Sequence, residues 1–322
     1  MPARVHAYSL PQIERTALPG PSAVVCMADS PALLASIKDA ANVVARLDLV
    51  FNDAQGDFGL VRGPTDEDAR KILAFVEQHQ DKVPNIVFQC QVGIGRSLAA
   101  CAAILELRGD DPRPALHRGT HNRTLYRKLL AASGRSPRAE PLVSLVVRLK
   151  YAPDRMAAFM LAIQRQRYDN WEVVFVTDGP NPQARAAVDA ARDARIRLLE
   201  TGEALGRWGH PHRQAGIEAS RGELVGLSND DNYYVPGYFE QMVNAIEAEG
   251  ADLALCAMLH SYWGWKPIEP GHDLGSWLAR RELLSKTPWQ GDHFFYDAEY
   301  LAQLKRNARK IALIDRPLFI HN

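Results

Sequence analysis

The chain has 322 residues, 38 of them basic and 38 acidic, so its formal net charge is zero. That balance provides no electrostatic footprint for nucleic acid or for an anionic membrane surface. With 47% hydrophobic and 24% charged residues the sequence can build real cores, and its length suits two domains of ordinary size rather than one.

In chain order, Ala23–Met27 is a short apolar run of strand type, and Leu34, Ile37, Ala41 and Val44 give Pro31–Arg46 helical spacing. Leu47–Phe51 is a second strand candidate. Thr65, with Asp68 three residues on, forms a capping box ahead of the apolar stripe Ile72, Leu73 and Val76. Asn85–Gln89 is the next strand and Ser97–Leu107 the next helix. Strands alternating with helices predict an α/β layer with a mostly parallel sheet.

The polar stretch Ser133–Pro141, SGRSPRAEP, has linker composition. It predicts domains at 1–134 and 141–322 joined by a linker at 135–140. Beyond it the alternation resumes. Strands are predicted at Leu142–Val147, Trp171–Val176, Ile196–Leu199 and Leu224–Leu227, and helices at Asp154–Gln166, Gln183–Ala194 and Arg213–Ser220. The second half is therefore also α/β.

Cys26, Cys90, Cys101 and Cys256 form no C-x-x-C pair, which argues against a zinc site or a disulfide framework. The opening MPARVHAYSL lacks the apolar core of a signal peptide. No apolar run approaches the ~18 residues needed to span a bilayer. A cytoplasmic location is expected, one peripheral to the inner face of the membrane included.

Cys90-Gln91-Val92-Gly93-Ile94-Gly95-Arg96 is C-x5-R between a strand and a helix. A glycine-containing loop there can turn its N–H groups inward as a nest for phosphate oxygens, and the helix N-terminus favours an anion. Arg96 offers a planar fork for two phosphoryl oxygens, and Ser97 a hydroxyl for the sulfur. Asp53, in FNDAQGD after a strand, is the candidate general acid, with Asp57 second. Cys90 as a core residue in a glycine turn is the plain alternative. Over roughly residues 20–132, FND, GPTDEDARKILAFVEQH and CQVGIGRS resemble the cysteine-dependent protein tyrosine phosphatases, in particular their compact dual-specificity-like members. The resemblance implies Cys90 as nucleophile, Arg96 as phosphate clamp, Ser97 as assistant and Asp53 as acid, with a phosphorylated substrate or partner at the loop and no cofactor. Gln89 stands where that family usually has histidine, so a domain that binds phosphate without turnover is the second reading.

In the second half, ELVGLSNDDNYYVP places Asn229, Asp230 and Asp231 at the end of a strand, where open α/β sheets bind ligands and where carboxylates suit a hard divalent cation. A turn or helix cap explains an N-D-D-N run equally well. The flanks PLVSLVVRLKYAPDRMAAFMLAIQRQRYDNWEVVFVTDGP and GHPHRQAGIEASRGELVGLSNDD resemble family 2 glycosyltransferases of the GT-A, Rossmann-like type. That resemblance covers about 141–322. It implies that Asp178 contacts the nucleotide base, that Arg213 lies near base and diphosphate with Asp230 beside the nucleotide sugar, and that Asn229, Asp231 and the terminal His321 hold Mg²⁺ or Mn²⁺. Asp292 in WQGDHFFYDAEYL matches the catalytic base, with Asp297 and Glu299 less favoured. Aromatic His260–Trp265 and Trp277 suit either sugar stacking or a core.

Taken together, the residues and resemblances imply a bifunctional α/β protein. Its second domain would be an inverting, metal-dependent glycosyltransferase moving a sugar from a nucleotide diphosphate donor to a glycan, lipid-linked or small sugar acceptor. Its first domain would be a phosphatase working through a phosphocysteine. No nucleic-acid partner is expected.

Overall fold

The seven residues Ser22–Ala28 are buried without exception, as a strand covered on both faces requires. In the computed structural model, which describes residues 2–54, 61–117, 121–135, 140–149, 153–204, 206, 210–291 and 293–322, they form the interior of the first of two units, Met1–Ala139 and Glu140–Asn322.

The first unit runs β1 (Arg4–Ser9), α1 (Leu10–Arg15), β2 (Ser22–Ala28), β3 (Val43–Val50), α2 (Asp66–His79), β4 (Asn85–Cys90), α3 (Arg96–Arg108), α4 (Arg113–His117) and α5 (Arg123–Ala132). Its sheet has the order β1-β4-β2-β3, every pair parallel. Strand alternation divides β2 and β4 between two cores. Val25, Met27, Phe88 and Cys90 face α2, α3 and α5, while Val24, Cys26 and Val87 meet Ile13, Leu18 and Ala35. The capping box at the start of α2 is present, Thr65 accepting from Asp68 N and Asp68 from Thr65 N. The alanine-rich Leu98–Ile104 is buried throughout, which lets α3 approach the sheet closely.

Pro31–Arg46 is not the helix its spacing predicts. Two single turns, Pro31–Leu33 and Ala40–Asn42, flank an irregular segment, and β3 begins at Val43. The segment acts as a clip. Lys38 N donates to Ile13 O, and the Asp39 carboxylate accepts from Leu18 N and Asn42 Nδ2. Tertiary bonds to the loop after α1 replace the helical ladder, while Leu34 and Ile37 still pack against the second core.

The second unit runs β5 (Val143–Leu149), α6 (Pro153–Gln164), β6 (Trp171–Thr177), α7 (Pro182–Ala191), β7 (Ile196–Glu200), α8 (Pro211–Ala219), β8 (Leu224–Asn229), β9 (Asn232–Tyr234), α9 (Tyr238–Glu249), β10 (Leu253–His260), β11 (Pro267–Ile268), β12 (Trp277–Arg280), α10 (Arg281–Lys286), α11 (Tyr296–Asn307) and β13 (Ile311–His321). Among the described residues the sheet order is β7-β6-β5-β8-β12-β10-β13-β9, with β11 paired to β10. β7, β6, β5 and β8 are mutually parallel; β12 then runs antiparallel to both β8 and β10. Val143, Leu145 and Val147 face α6, α7 and α9, and Val146, Val174 and Leu227 face α8, α10 and α11. Burying each such side chain contributes about 1.5–3 kcal/mol. Trp277 belongs to this core, fully buried, which removes it from the candidate sugar-stacking surface.

Two features of this sheet position the site. The parallel strands β6 and β8 deliver Thr177-Asp178 and Asn229-Asp230-Asp231 to one edge, the edge where such sheets bind ligands. The parallel pairing of β10 with β13 sets His260 opposite His321. Helix α8 reaches the first of these edges by lying directly on the strands at Gly216, where a Cβ would come within 2.4 Å of Val146 Cγ1 and 2.8 Å of Val176 Cγ2. Gly216→Ala is expected to destabilise the protein by about 1–3 kcal/mol through overpacking, read as a fall in Tm, and to displace Arg213 one turn upstream.

Candidate functional site

In the first unit the chemistry is carried by the turn from β4 to α3. Cys90 is 1% exposed. Its Sγ lies 3.3 Å from Ser97 Oγ and accepts from Gly93 N at 3.3 Å. Asp53 reaches the same loop. A Cβ on Gly95 would fall 1.8 Å from Asp53 Oδ2, so only glycine leaves room for that carboxylate. Asn122, the N-cap of α5, holds Asp53 there by donating from Nδ2 to Oδ1 at 2.8 Å, and Asn122 N donates to Gly95 O. The structure thus brings together Cys90, Ser97 and Asp53, three of the residues singled out in the sequence. Asn122 was not among them, although its capping position before an amphipathic helix was legible.

Arg96 is buried, but its terminal nitrogens are committed to the protein. NH1 donates to Phe51 O; NH2 donates to Gln91 Oε1 at 2.6 Å and stands 2.9 Å from Asp29 Oδ1. Its Nε has no hydrogen-bond partner among the described residues. A phosphate gripped by the fork, as the resemblance implies, has to displace Gln91 and Asp29. Asp57 lies outside the described residues.

In the second unit, the end of β6 and the start of α8 form one corner. Asp178 Oδ1 sits 2.6 Å from His212 Nε2, and Asp178 Oδ2 accepts from Gly206 N. His212 was missed in the sequence because a lone histidine beside Arg213 carries no signature of its own. One residue further on α8, Arg213 is 2% exposed. It donates to Ser228 O at 3.2 Å and to Asn229 Oδ1 at 2.8 Å, with its guanidinium carbon 5.3 Å from the Trp289 ring centre. Burial pushes it down to about 10, against the charges of Asp297, Asp273 and Asp231.

Those three carboxylates come from separate elements. Asp231, in the turn after β8, has a buried Oδ1 without a hydrogen-bond partner among the described residues, and its Oδ2 is 3.8 Å from Arg155. Asp273 caps the turn before β12 and faces His321 Nδ1 at 3.3 Å, an ion pair rather than a directed hydrogen bond. Burial works against the Asp273 charge, yet His321 and the N–H groups of Gly275 and Leu274 bring it below the usual carboxylate range. Asp273 in turn holds the His321 imidazolium above its usual value. Asp297, in the first turn of α11, stands 3.4 Å from His210 Nδ1. Burial raises its carboxyl above the ordinary value despite Arg213.

These placements sort the expected residues. Asn229 spends its side-chain oxygen on Arg213, while Asp231 keeps a buried Oδ1 with no hydrogen-bond partner among the described residues. Asp230 is buried at the strand end. Among the described residues no three His, Cys, Asp or Glu side chains cluster as a complete cation cage. A Mg²⁺ or Mn²⁺ held by one carboxylate plus diphosphate oxygens needs none, so Asp231 and its free oxygen fit such an ion. Asp292 lies outside the described residues, whereas Asp297, ranked below it from the sequence, lies within the electrostatic cluster. The signal for Asp297 was its place in the first turn of an apolar-striped helix, which marks a helix start but no chemistry.

A model of Glycosyl transferase family 2 matches residues 144–317, more than half of the chain. The uncharacterized glycosyltransferase EpsJ of Bacillus subtilis (strain 168) is 30% identical over 212 residues, 56% of this chain and 61% of EpsJ. The putative glycosyltransferase EpsH of the same organism is 31% identical over 122 residues, 36% of this chain and 33% of EpsH. The chain therefore spans less than two thirds of the length of these curated relatives. Among solved structures, S. aureus TarS 1-349 in complex with UDP shares the fold, with a TM-score of 0.50 at 15% identity over 56% of this chain and 60% of that chain. No helix among the described residues is long and apolar enough to cross a membrane.

The raised Asp297 carboxyl fixes the sign of a stability change. A group whose folded value exceeds its unfolded one favours the protonated fold, so its ionised form lowers stability at neutral pH and the loss is recovered as pH falls through the folded value. With about a third of the side chain exposed, solvent screening keeps the effect below about 1 kcal/mol. Asp297→Asn is expected to unfold at the same or a slightly higher temperature than the unmodified chain at pH 7, with the difference vanishing by pH about 4, followed by thermal denaturation across that range.

Proposed function

This chain belongs to glycosyl transferase family 2, and from that premise we propose that its second unit transfers a sugar, with inversion, from a nucleotide diphosphate donor to a glycan, lipid-linked or small sugar acceptor. The observation that carries the reading is the convergence of Asp231, Asp297 and the buried Arg213 at the ligand-binding edge of the sheet. Asp178, oriented by His212, is assigned to the nucleotide base. Arg213 is assigned to the diphosphate, its fork already held on Ser228 and Asn229. Asp231 is assigned to the metal; a bound Mg²⁺ or Mn²⁺ would neutralise charge on the departing diphosphate. His321 is assigned to charge balance through its pairing with Asp273.

Asp297 is proposed as the base in place of Asp292. A carboxyl held above its ordinary value by burial binds an incoming proton more strongly than an ordinary one. The acceptor hydroxyl loses its proton to Asp297 as its oxygen bonds to the anomeric carbon, and the bond from that carbon to the diphosphate breaks with its electron pair leaving on oxygen. One displacement inverts the anomeric configuration. With Mn²⁺ and a panel of nucleotide sugars, UDP-linked ones first, release of nucleotide diphosphate reports turnover. Asp297→Asn is expected to lower kcat by about 10²–10⁴-fold with nucleotide affinity kept, while Asp292→Asn stays near the unmodified chain. The reverse ranking would return the base role to Asp292.

A second activity is favoured by the Asp53 carboxylate lying against the loop that holds Cys90. In that reading Cys90 Sγ attacks the phosphorus of a phosphate monoester, Asp53 gives its proton to the leaving oxygen, and water then hydrolyses the phosphocysteine with Ser97 assisting the sulfur's departure. Release of p-nitrophenol from p-nitrophenyl phosphate is expected, abolished in Cys90→Ser and reduced about 10²-fold or more in Asp53→Asn. Stabilisation by inorganic phosphate with no p-nitrophenol released would instead make the loop a phosphate-recognition site.

A further inference from the structure

Between β10 and β11 the chain turns through Ser261-Tyr262-Trp263-Gly264-Trp265. The three aromatic rings of this turn are 76%, 57% and 57% exposed in chain order. An apolar tip exposed to this degree is costly in water, and such surfaces usually mark where something binds.

The backbone makes the feature more pointed. Gly264 and Trp265 both adopt left-handed conformations, with φ of +76° and +61°. Glycine takes this region freely, but a bulky side chain there is an outlier that persists only when the surroundings over-determine it. Trp265 N donates to His260 O at 3.2 Å to close the turn. Any glycine or asparagine would close it with less strain. The strained residue is instead a tryptophan whose indole is directed mostly into solvent, so packing does not account for it.

The turn is also continuous with the site. Trp263 stacks on His260 with ring centres 4.3 Å apart and planes 12° apart. His260 lies 4.7 Å from His321, and His321 is paired with Asp273. The charges of Asp231 and Asp297 act on the same His321 imidazole.

We propose that Tyr262, Trp263 and Trp265 form a stacking platform for an uncharged saccharide ring of the acceptor. This rests on the glycosyltransferase reading of the same unit. Aromatic faces suit the apolar face of a pyranose, and the neighbouring polar tips suit its hydroxyls. The five residues of the turn carry no charge, and Lys266 is the first basic residue after them. A membrane-surface anchor combines its aromatics with a basic cluster, and this turn has none.

The test uses the full chain, its Trp263→Ala and Trp265→Asn variants, and an array of immobilised neutral oligosaccharides of glucose, galactose, mannose and N-acetylglucosamine. Asparagine tolerates the left-handed backbone, so Trp265→Asn should melt at the same or a higher temperature than the unmodified chain. The unmodified chain is expected to bind at least one saccharide of the array, with its tryptophan fluorescence changing on titration, and each variant to bind it at least tenfold more weakly. Binding of no saccharide, equal binding by the variants, or a marked fall in Tm for Trp265→Asn would overturn the platform. So would variant-sensitive binding to phosphatidylglycerol and phosphatidylethanolamine vesicles in place of saccharide. Titration of the unmodified chain with UDP and GDP in Mn²⁺ reports separately on the donor site, so failure of the transferase reading is distinguishable from failure of the platform.

Discussion

The second unit is organised around one buried cation. Arg213 has almost no contact with water, and burying a guanidinium is tolerated only where acceptors and negative charges surround it. Ser228 O and Asn229 Oδ1 supply the acceptors; Asp231, Asp273 and Asp297 supply the charge. These groups come from β8, the turn after it, the turn before β12 and the start of α11. The demand of a single side chain therefore draws four parts of the chain to one edge of the sheet. Gly216 makes this possible by letting α8 lie against Val146 and Val176.

The three carboxylates around Arg213 differ in their surroundings. Asp273 has His321 as its own counter-ion and falls below the ordinary carboxylate range. Asp297 rises because burial, with the charge of Asp273, outweighs the opposing pull of Arg213 and Arg148. Asp231 keeps an oxygen with no partner among the described residues.

Much of this was legible before the structure. The parallel strands β2, β4, β5, β6, β7 and β8 appeared as apolar runs with bounds correct to within two residues, because a strand covered on both faces reads as an apolar run; β1 was not assigned, and the half-exposed β3 begins four residues ahead of the run Leu47–Phe51. Asp231 stood out at the end of a strand on the ligand edge, while Asp178 and Arg213 were singled out by the family 2 resemblance of the segments around them. What escaped was non-local. Pro31–Arg46 carries helical spacing, but its polar groups are claimed by Ile13 and Leu18, which no local pattern reveals. The strands from β9 onward and the helix α9 went unassigned, since antiparallel additions to a parallel sheet leave no alternating βα rhythm to follow. Asp273 looked like one more loop aspartate until β10 and β13 paired and brought His321 against it. Trp277 and Trp265 were alike in sequence and opposite in the fold, one fully buried and the other held exposed on a left-handed backbone.

The central claim is that the edge holding Arg213 and Asp231 binds a nucleotide diphosphate together with a divalent cation. Calorimetric titration of UDP and GDP into the chain, with Mn²⁺ and with EDTA, tests it most directly when repeated on Asp231→Ala. The account predicts that Mn²⁺ tightens binding of at least one nucleotide by tenfold or more in the unmodified chain, and that Asp231→Ala removes the gain while leaving the metal-free affinity in place. Nucleotide affinity indifferent to Mn²⁺, or a metal effect that survives Asp231→Ala, would contradict it.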